Sequence, residues 1–266
     1  MSESAYRVGA VAYHPRVVTI WESFRRWFGE RGLALDYVLF ASYEAQLDAL
    51  LAGWIDVAWN TNLAYVRALE RTAGSCQALA MRHTDRGWTS YVLARSGGPR
   101  DLATLRGKRV GFGDSDSPQA WILPAYAMLR EGLDVRRDLV AERLDRDLGK
   151  HGDTGGAEFA QFERLTHGEL DACVVSDATH QALRGAGAAA DVVIAWTSPP
   201  FHHCNFTALA SPHAGHDRFC ELLFEMDERD PQLGEPMRLE SVHRWVEGDP
   251  SGYADLIAAA RVFGRG

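Results

Sequence analysis

The stretch Arg7-Val8-Gly9-Ala10-Val11-Ala12-Tyr13-His14-Pro15 returns later in the chain as Arg109-Val110-Gly111-Phe112-Gly113-Asp114-Ser115-Asp116-Ser117-Pro118. In both copies a short apolar run meets a proline, and an amphipathic stretch follows. A second pair of similar segments comes after each copy, at Gly53–Ala58 and at Gly168–Cys173. The duplication predicts two similar α/β lobes, and two facing lobes commonly form one ligand cleft.

The first copy has the pattern of alternating strands and helices. Tyr6–Tyr13 is predicted as a buried strand, and Pro15 suits the first turn of a helix, where its missing N–H costs nothing. The bulky residues of that helix recur on one face, and Gly32 ends it. Leu35–Phe40 and Ile55–Trp59 are further strands on either side of a second helix. This order predicts a parallel sheet with helical crossovers, and the second copy predicts another.

The connections between the lobes decide the domain organisation. Ala78–Arg82 and Thr89–Arg95 have the pattern of an antiparallel excursion around a polar turn, and Ser96–Pro99 follows as a flexible junction. Pro199-Pro200 marks the return. We therefore expect lobe one from residues 1–96 and 203–266, lobe two from residues 97–202, a two-strand hinge, and a ligand cleft between the lobes. The expected fold class is α/β, with a mostly parallel sheet flanked by helices in each lobe.

Composition excludes several classes of function. The formal net charge of −8 argues against a nucleic-acid partner, because phosphate binding needs a basic face. No stretch approaches the roughly 20 apolar residues that span a bilayer, so no membrane insertion is expected. The first residues lack the basic and apolar regions of a secretory signal. If Met1 is the native start, this absence predicts a cytoplasmic location.

Polar residues at the ends of the predicted strands are the candidate ligand contacts. In parallel α/β sheets, ligands bind beyond the carboxyl ends of the strands, where helix N-termini favour anions. We therefore expect a small polar metabolite, anionic or zwitterionic, as the ligand. The predicted polar contacts are Tyr13, His14, Asn60, Ser117, Gln119 and Asp177, and the predicted walls are Tyr65 and Trp88. Helix capping alone is the alternative for Ser117 and Asp177, and packing alone is the alternative for Trp88.

Several stretches together carry a family resemblance. They are Asp101–Asp114 with Ser117 and Pro124, Gly53–Val57 with Tyr65, Leu170–Ala172 with Asp177, and Phe224–Asp227. These stretches resemble the phosphonate-binding proteins of ABC importers, and the resemblance spans most of the chain. It implies the two-lobe type II periplasmic-binding fold, and it implies an ABC permease as partner if the native protein is exported.

The resemblance also implies roles for residues of the second lobe. In that family a Ser-Thr-Ser run at a helix start holds the phosphonate oxygens, and an Asp with a Glu or His holds the amine. The run here is Ser117-Pro118-Gln119, which keeps the first hydroxyl but has no backbone N–H at Pro118. Asp177 matches the amine-binding Asp, and His151 and Glu158 fall near the other amine ligands. A tetrahedral oxyanion is therefore expected to find fewer partners here.

A cytoplasmic biosynthetic enzyme on the same fold is the alternative function. Cytoplasmic relatives of the broad fold include a thiamine-pyrimidine synthase with an iron-binding, Cys-rich motif. In this chain His202 and Cys204 lie on the expected return strand, where alternate side chains share a face. With His14 or His83 they predict a site for a transition metal (iron, zinc or copper).

The sequence leaves open whether the chain is an enzyme. The catalytic candidates are His14 and Asp177 as general bases and Cys204 as a metal ligand. The alternative for the return strand is a packed histidine beside a buried cysteine, without metal. A third possible function is a ligand-sensing module that acts through a partner protein.

Overall fold

The computed structural model describes residues 5–264, which form alternating strands and helices. The elements from the start of the chain are β1 Tyr6–Val11, α1 Arg16–Glu30, β2 Leu35–Phe40, α2 Tyr43–Leu51, β3 Val57–Asn60, α3 Asn62–Arg71, β4 Cys76–Arg82, β5 Ser90–Arg95, β6 Arg109–Phe112, α4 Leu123–Arg130, α5 Val135–Asp138 and β7 Val140–Arg143. They continue with α6 Gly156–Thr166, β8 Ala172–Ser176, α7 Asp177–Gly185, β9 Val192–Thr197, β10 Asn205–Leu209, α8 Ala214–Glu225, α9 Gly234–Leu239, β11 Trp245–Glu247 and α10 Ala254–Phe263.

The chain divides into two compact units, each built on its own sheet. Of the described residues, unit one contains 5–87 and His202–Tyr253, and unit two contains Trp88–Phe201 and 254–264. The sheet of unit one has the strand order β11-β4-β10-β3-β1-β2, and that of unit two has the order β7-β6-β8-β5-β9. β1, β2 and β3 are parallel, as are β6, β7 and β8. The predicted α/β class, with a parallel core in each sheet, is confirmed.

The predicted duplication has a direct counterpart in the central strands. A Cβ on Gly9 would lie 2.4 Å from Ile55 Cδ1, and a Cβ on Gly111 would lie 2.6 Å from Leu170 Cδ1. Ile55 and Leu170 occupy the same place in the second pair of similar segments. The repeated glycine therefore allows an aliphatic side chain to pack directly on the strand backbone in both units.

The repeated aspartate has the same role in both units. The Arg7 N–H donates to Asp56 Oδ2 at 2.7 Å, and the Arg109 N–H donates to Asp171 Oδ2 at 2.9 Å. Each aspartate thus satisfies a backbone donor where its sheet begins. The second pair of similar segments therefore has the same structural role in the two sheets.

The core of unit one is aromatic. The predicted apolar face of α1 is buried, with Trp27 and Phe28 2% and 1% exposed. Phe28 stacks on Phe219 of α8 with ring centroids 5.4 Å apart, and Phe206 of β10 meets Phe219 edge-on at 5.1 Å. Each such side chain contributes about 1.5–3 kcal/mol through burial, so this contact fixes α1 and α8 on one face of the sheet.

The units differ from the predicted lobes at two main places. Thr89–Arg95 was predicted to pair with Ala78–Arg82 in lobe one, but β5 pairs with β8 and β9 in unit two, while β4 stays in unit one. Residues from Ala254 on were also placed in lobe one. α10 instead packs in unit two, where the Phe263 ring meets the Trp121 ring edge-on at 5.7 Å.

Among residues 5–264, none of the helices combines the length and the apolar character that crossing a membrane requires.

Candidate functional site

In unit one, the carboxyl end of β3 carries one of the predicted ligand residues. Asn60 ends β3, is fully buried, and accepts a hydrogen bond from Gln46 Nε2 at 2.7 Å. Asn60 Nδ2 is buried and has no hydrogen-bond partner among the described residues. Thr61 caps α3 by accepting from the Ala64 N–H at 3.3 Å. The geometry therefore leaves an unused amide donor beside a helix N-terminus, which suits an anion.

Tyr13 leads into a charged network that the sequence did not reveal. Its hydroxyl donates to Glu240 Oε2 at 3.2 Å, and the Trp59 indole N–H donates to Glu240 Oε1 at 2.9 Å. Arg82 donates to both carboxylate oxygens of Asp85, at 2.7 and 2.8 Å, and its Nη1 lies 3.6 Å from Glu240 Oε1. Asp85 lies in the connection between β4 and β5, yet it is fully buried. Its ion pair with Arg82 accounts for that burial.

Burial and charge act in opposite directions on the two acids of this network. Burial alone would raise the pKa of Asp85, but the Arg82 guanidinium and His203 more than offset it, so the pKa lies below its ordinary value. Burial dominates at Glu240 and raises its pKa despite Arg82. The network is therefore held by an ionised Asp85 and depends on the cation of Arg82.

Three other predicted ligand residues, His14, Tyr65 and Trp88, make contacts with other residues of the protein. His14 is exposed, and its Nδ1 accepts from the Arg16 N–H at 3.2 Å at the start of α1. The Tyr65 ring is 2% exposed and meets the Tyr253 ring at 4.8 Å. Trp88 is half-buried in unit two, where its carbonyl accepts from the Phe201 N–H at 2.9 Å.

In unit two, the loop after β6 and the loop before α6 pack against each other. Ser117 Oγ accepts from the Ala120 N–H at 3.1 Å, and Gln119 Nε2 donates to the His151 carbonyl at 3.1 Å. A Cβ on Gly152 would lie 2.6 Å from Ser117 Oγ, so only a glycine allows this approach. His151, in the loop before α6, is fully buried. Gln119 Oε1 is buried and has no partner among the described residues.

Two buried acids lie next to this loop pair. Glu158 Oε2 accepts from the Ser176 N–H at 2.8 Å and from the Ser176 hydroxyl at 2.7 Å. Glu158 Oε1 is buried without a partner in the described part of the chain. Asp114 Oδ1 accepts from the N–H groups of Arg146 and Asp147, at 2.6 and 2.9 Å. Burial raises the pKa of both acids, and each group's neighbouring carboxylates add to the rise.

Asp177 begins α7 and lies at the carboxyl end of β8. It is half-buried and accepts from the Tyr91 hydroxyl at 3.2 Å and from Gln181 Nε2 at 2.8 Å. The cap of this helix is Ser176, whose hydroxyl accepts from the Thr179 N–H. Ser117 and Gln119 follow β6, Glu158 lies in the first turn of α6, and Asp177 begins α7. All four therefore lie beyond the carboxyl ends of strands of unit two.

The structure does not bring His14, His202 and Cys204 together. His202 Nε2 lies 3.2 Å from Asp249 Oδ2, whereas Cys204 Sγ lies 3.1 Å from His203 Nδ1. Residues 202–204 precede β10 and are not in a strand, so alternate side chains do not share a face. The group that does form is Asp85, His203 and Cys204.

The approach of the helix start to β6 can be tested at Gly113. A Cβ there would lie 2.6 Å from Ala120 Cβ, a rigid atom, and 3.8 Å from Glu158 Cγ. Gly113→Ala is expected to lower the free energy of unfolding by about 1–3 kcal/mol through overpacking, as measured by urea unfolding. Gly185→Ala is the matched control, because nothing lies within 4 Å of a Cβ there, and it is expected to stabilise by about 0.5–1 kcal/mol. Equal stability of the two variants would contradict the close approach.

Three binding proteins with solved structures share this fold. PhnD1 from Prochlorococcus marinus in complex with methylphosphonate has a TM-score of 0.74 and 14% identity, with 98% of each chain covered. A binding protein component of an ABC phosphonate transporter from Pseudomonas aeruginosa has a TM-score of 0.65 and 13% identity, covering 98% of this chain and 87% of that one. The aliphatic sulphonate binding protein SsuA from Escherichia coli has a TM-score of 0.62 and 15% identity, covering 99% and 90%. These likenesses confirm the two-lobe fold.

The sequence itself matches the family described as ABC transporter, phosphonate, periplasmic substrate-binding protein. The comparison with curated proteins gave no match. The prediction of a cytoplasmic location is wrong, because the matched family is periplasmic. The predicted binding of a small anionic ligand agrees with the family, and no finding supports the enzyme alternative. Residues 10–253 match, which is most of the chain, and the chain therefore belongs to the periplasmic substrate-binding proteins of phosphonate ABC transporters.

Proposed function

We propose that the ligand of this substrate-binding protein is a small zwitterion, which carries an amine or another cationic group together with an oxyanion. The family implies an oxyanion such as a phosphonate, and the proposal adds a cationic group on the same ligand. We also propose an ABC permease as the protein partner, since the family consists of ABC transporter components.

The observation that carries the proposal is a group of acids without a counter-ion in unit two. Asp114, Asp145, Asp147 and Glu158 lie on or beside the carboxyl-end loops, and no Lys, Arg or His of residues 5–264 forms an ion pair with any of them within 4.0 Å. Asp145 and Asp147 raise the pKa of Asp114 in addition to burial, so the acids repel one another. A bound cation would relieve this repulsion.

The groups around Ser117 support the same ligand class, because they offer little to an oxyanion. The Ser117 hydroxyl accepts the Ala120 N–H and keeps one proton to donate, but Pro118 has no N–H, and Gln119 Nε2 already donates to the His151 carbonyl. The unpaired buried oxygens, Gln119 Oε1 and Glu158 Oε1, can accept from an ammonium group. In unit one the unpaired donor Asn60 Nδ2 suits an oxyanion instead. The oxyanionic part of the ligand follows from the phosphonate family to which the chain belongs.

Isothermal titration calorimetry with a panel of small ligands tests the proposal. 2-Aminoethylphosphonate and 2-aminoethanesulfonate are expected to bind at least about tenfold more tightly than methylphosphonate or phosphate, because a charge-assisted hydrogen bond contributes about 1.5–3 kcal/mol. 2-Aminoethanol, which has no oxyanion, is expected to bind weakly.

A pair of variants locates the effect. Asp114→Asn is expected to remove the preference for the amine-bearing ligands, whereas Asp191→Asn, the same charge change at an exposed position of unit two, is expected to keep it. Binding of methylphosphonate as tight as that of 2-aminoethylphosphonate would rule out a zwitterionic ligand and leave a simple oxyanion in its place.

A further inference from the structure

We propose that Asp85, His203 and Cys204 of unit one form a zinc site. One ligand atom from each of the three residues lies within 4.8 Å of the others, and all three residues are buried. The set contains one carboxylate oxygen, one imidazole nitrogen and one sulfur. These are the ligand types that zinc binds in proteins, where three protein ligands leave a fourth position for water or another small donor.

The two distances that join His203 Nδ1 to the other ligand atoms are already close to those of a tetrahedral zinc site. His203 Nδ1 lies 3.1 Å from Cys204 Sγ and 3.5 Å from Asp85 Oδ1. Zinc held about 2.3 Å from sulfur and about 2.0–2.1 Å from nitrogen and oxygen separates its ligand atoms by roughly 3.3–3.5 Å. The two separations from His203 Nδ1 are thus within a few tenths of an ångström of these values, and the third, between Asp85 and Cys204, is at most 4.8 Å.

The charges around the group also permit a divalent ion. Arg82 donates to both oxygens of Asp85, but a carboxylate oxygen has a second lone pair that can bind a metal. With Cys204 as thiolate, the ligands Cys204 and Asp85 carry two negative charges, which match the two positive charges of zinc. Cys204 loses its thiol proton to solvent as the sulfur–zinc bond forms.

The ring of the neighbouring His202 is not part of this group, because it contacts Gly87 and Gly252 instead. Its Nδ1 accepts from the Gly87 N–H at 3.3 Å, and a Cβ on Gly252 would lie only 2.2 Å from the ring. The sequence pattern had paired His202 with Cys204, whereas the structure pairs His203. The two assignments predict different effects for substitutions at adjacent histidines.

The test uses the full chain, dialysed against a chelator and then against zinc, with metal content read by elemental analysis. About one zinc ion per chain is expected to remain after removal of free metal. Cobalt(II) in place of zinc is expected to give a near-ultraviolet thiolate-to-metal charge-transfer band. His203→Ala and Cys204→Ser are expected to lose both signals, and Cys204→Ser keeps the size of the side chain.

Two matched controls complete the experiment. His202→Ala and Cys220→Ala, both in unit one, are expected to keep the zinc and the cobalt band. Circular dichroism confirms that each variant is folded. Failure of the wild-type chain to retain zinc or cobalt would overturn the proposal. Retention of zinc or cobalt by a folded Cys204→Ser variant would also overturn it. Loss of the metal in His202→Ala together with its retention in His203→Ala would overturn it as well, because the metal ligand would then be His202. None of these readouts depends on the solute that the protein binds.

Discussion

Replacing Arg82 with leucine is expected to lower the free energy of unfolding by about 3–5 kcal/mol, which is a large part of the 5–15 kcal/mol typical of a folded protein. The substitution removes the cation that faces both oxygens of Asp85 and lies 3.6 Å from Glu240 Oε1. Both acids are buried and would be left without that cation. Urea unfolding followed by circular dichroism measures the loss.

A second substitution separates the effect of the unpaired buried charge on stability from the effect of lost packing. Adding Asp85→Asn to Arg82→Leu is expected to recover part of the stability, because the variant then buries one charge fewer. Arg229→Ala, which breaks the surface pair with Asp227, is the control and is expected to leave the melting temperature unchanged. Arg82→Leu as stable as wild type would show that the network contributes nothing to the fold.

The same network gives a pH dependence with a definite sign. The pKa of Asp85 is lower in the folded chain than its ordinary value of 3.8. The folded state therefore holds the proton of this carboxyl less tightly than the unfolded state. Its contribution to stability is present above the ordinary value and is lost as the pH falls through the folded-state pKa. The stability difference between wild type and Asp85→Asn should shrink as the pH falls below about 4.

The sequence predicted the parallel sheets because their signals are local. Gly9 and Gly111 recur with Ile55 and Leu170, and the same close packing follows in each unit. The membership of β5 and α10 depends on long-range pairing, which no local pattern encodes. β5 is an extended run that suits either sheet, and only its pairing with β8 and β9 places it in unit two.

The candidate site was predictable only in part for the same reason. Asn60, Ser117 and Gln119 were found because parallel strands present the residues after their carboxyl ends. Arg82 and Glu240 were missed, since their meeting joins β4 to a residue far along the chain. His202 was preferred to His203 because strand alternation was assumed for a segment that is not a strand. Patterns with a fixed period apply only inside regular elements.

Replacing Glu158 with glutamine is expected to stabilise the protein at alkaline pH and to weaken ligand binding. Burial raises the pKa of Glu158 above its ordinary value of 4.5, so the folded state holds this proton more tightly than the unfolded state. The contribution of the carboxyl to stability is fully present below the ordinary value and is lost as the pH rises through the folded-state pKa. Glutamine does not titrate and still accepts from Ser176. The stability of Glu158→Gln relative to wild type should therefore rise with pH.

The effect on binding is expected to have the opposite sign. Under the proposed function, Glu158 Oε1 faces the cationic group of the ligand, and an amide cannot supply the negative charge. Loss of one member of a buried charge pair costs about 2–5 kcal/mol, or at least about thirtyfold in Kd for 2-aminoethylphosphonate. In the wild type that affinity should fall as the pH drops, because protonation neutralises the carboxyl, and calorimetry between pH 5 and 8 measures both trends.

The control for this prediction lies on the same helix. Glu163 of α6 is exposed, and Glu163→Gln makes the same change in charge five residues along. It is expected to change neither the pH dependence of stability nor the Kd. If Glu158→Gln is stabilised and binds the ligand as tightly as wild type, the raised pKa of Glu158 reflects burial alone, and the carboxylate has no role in binding. If Glu158→Gln is more stable than wild type and also binds the ligand more weakly, Glu158 is a buried acid that lowers stability but is needed for binding. Such a conflict between stability and function is common at sites that bind charge.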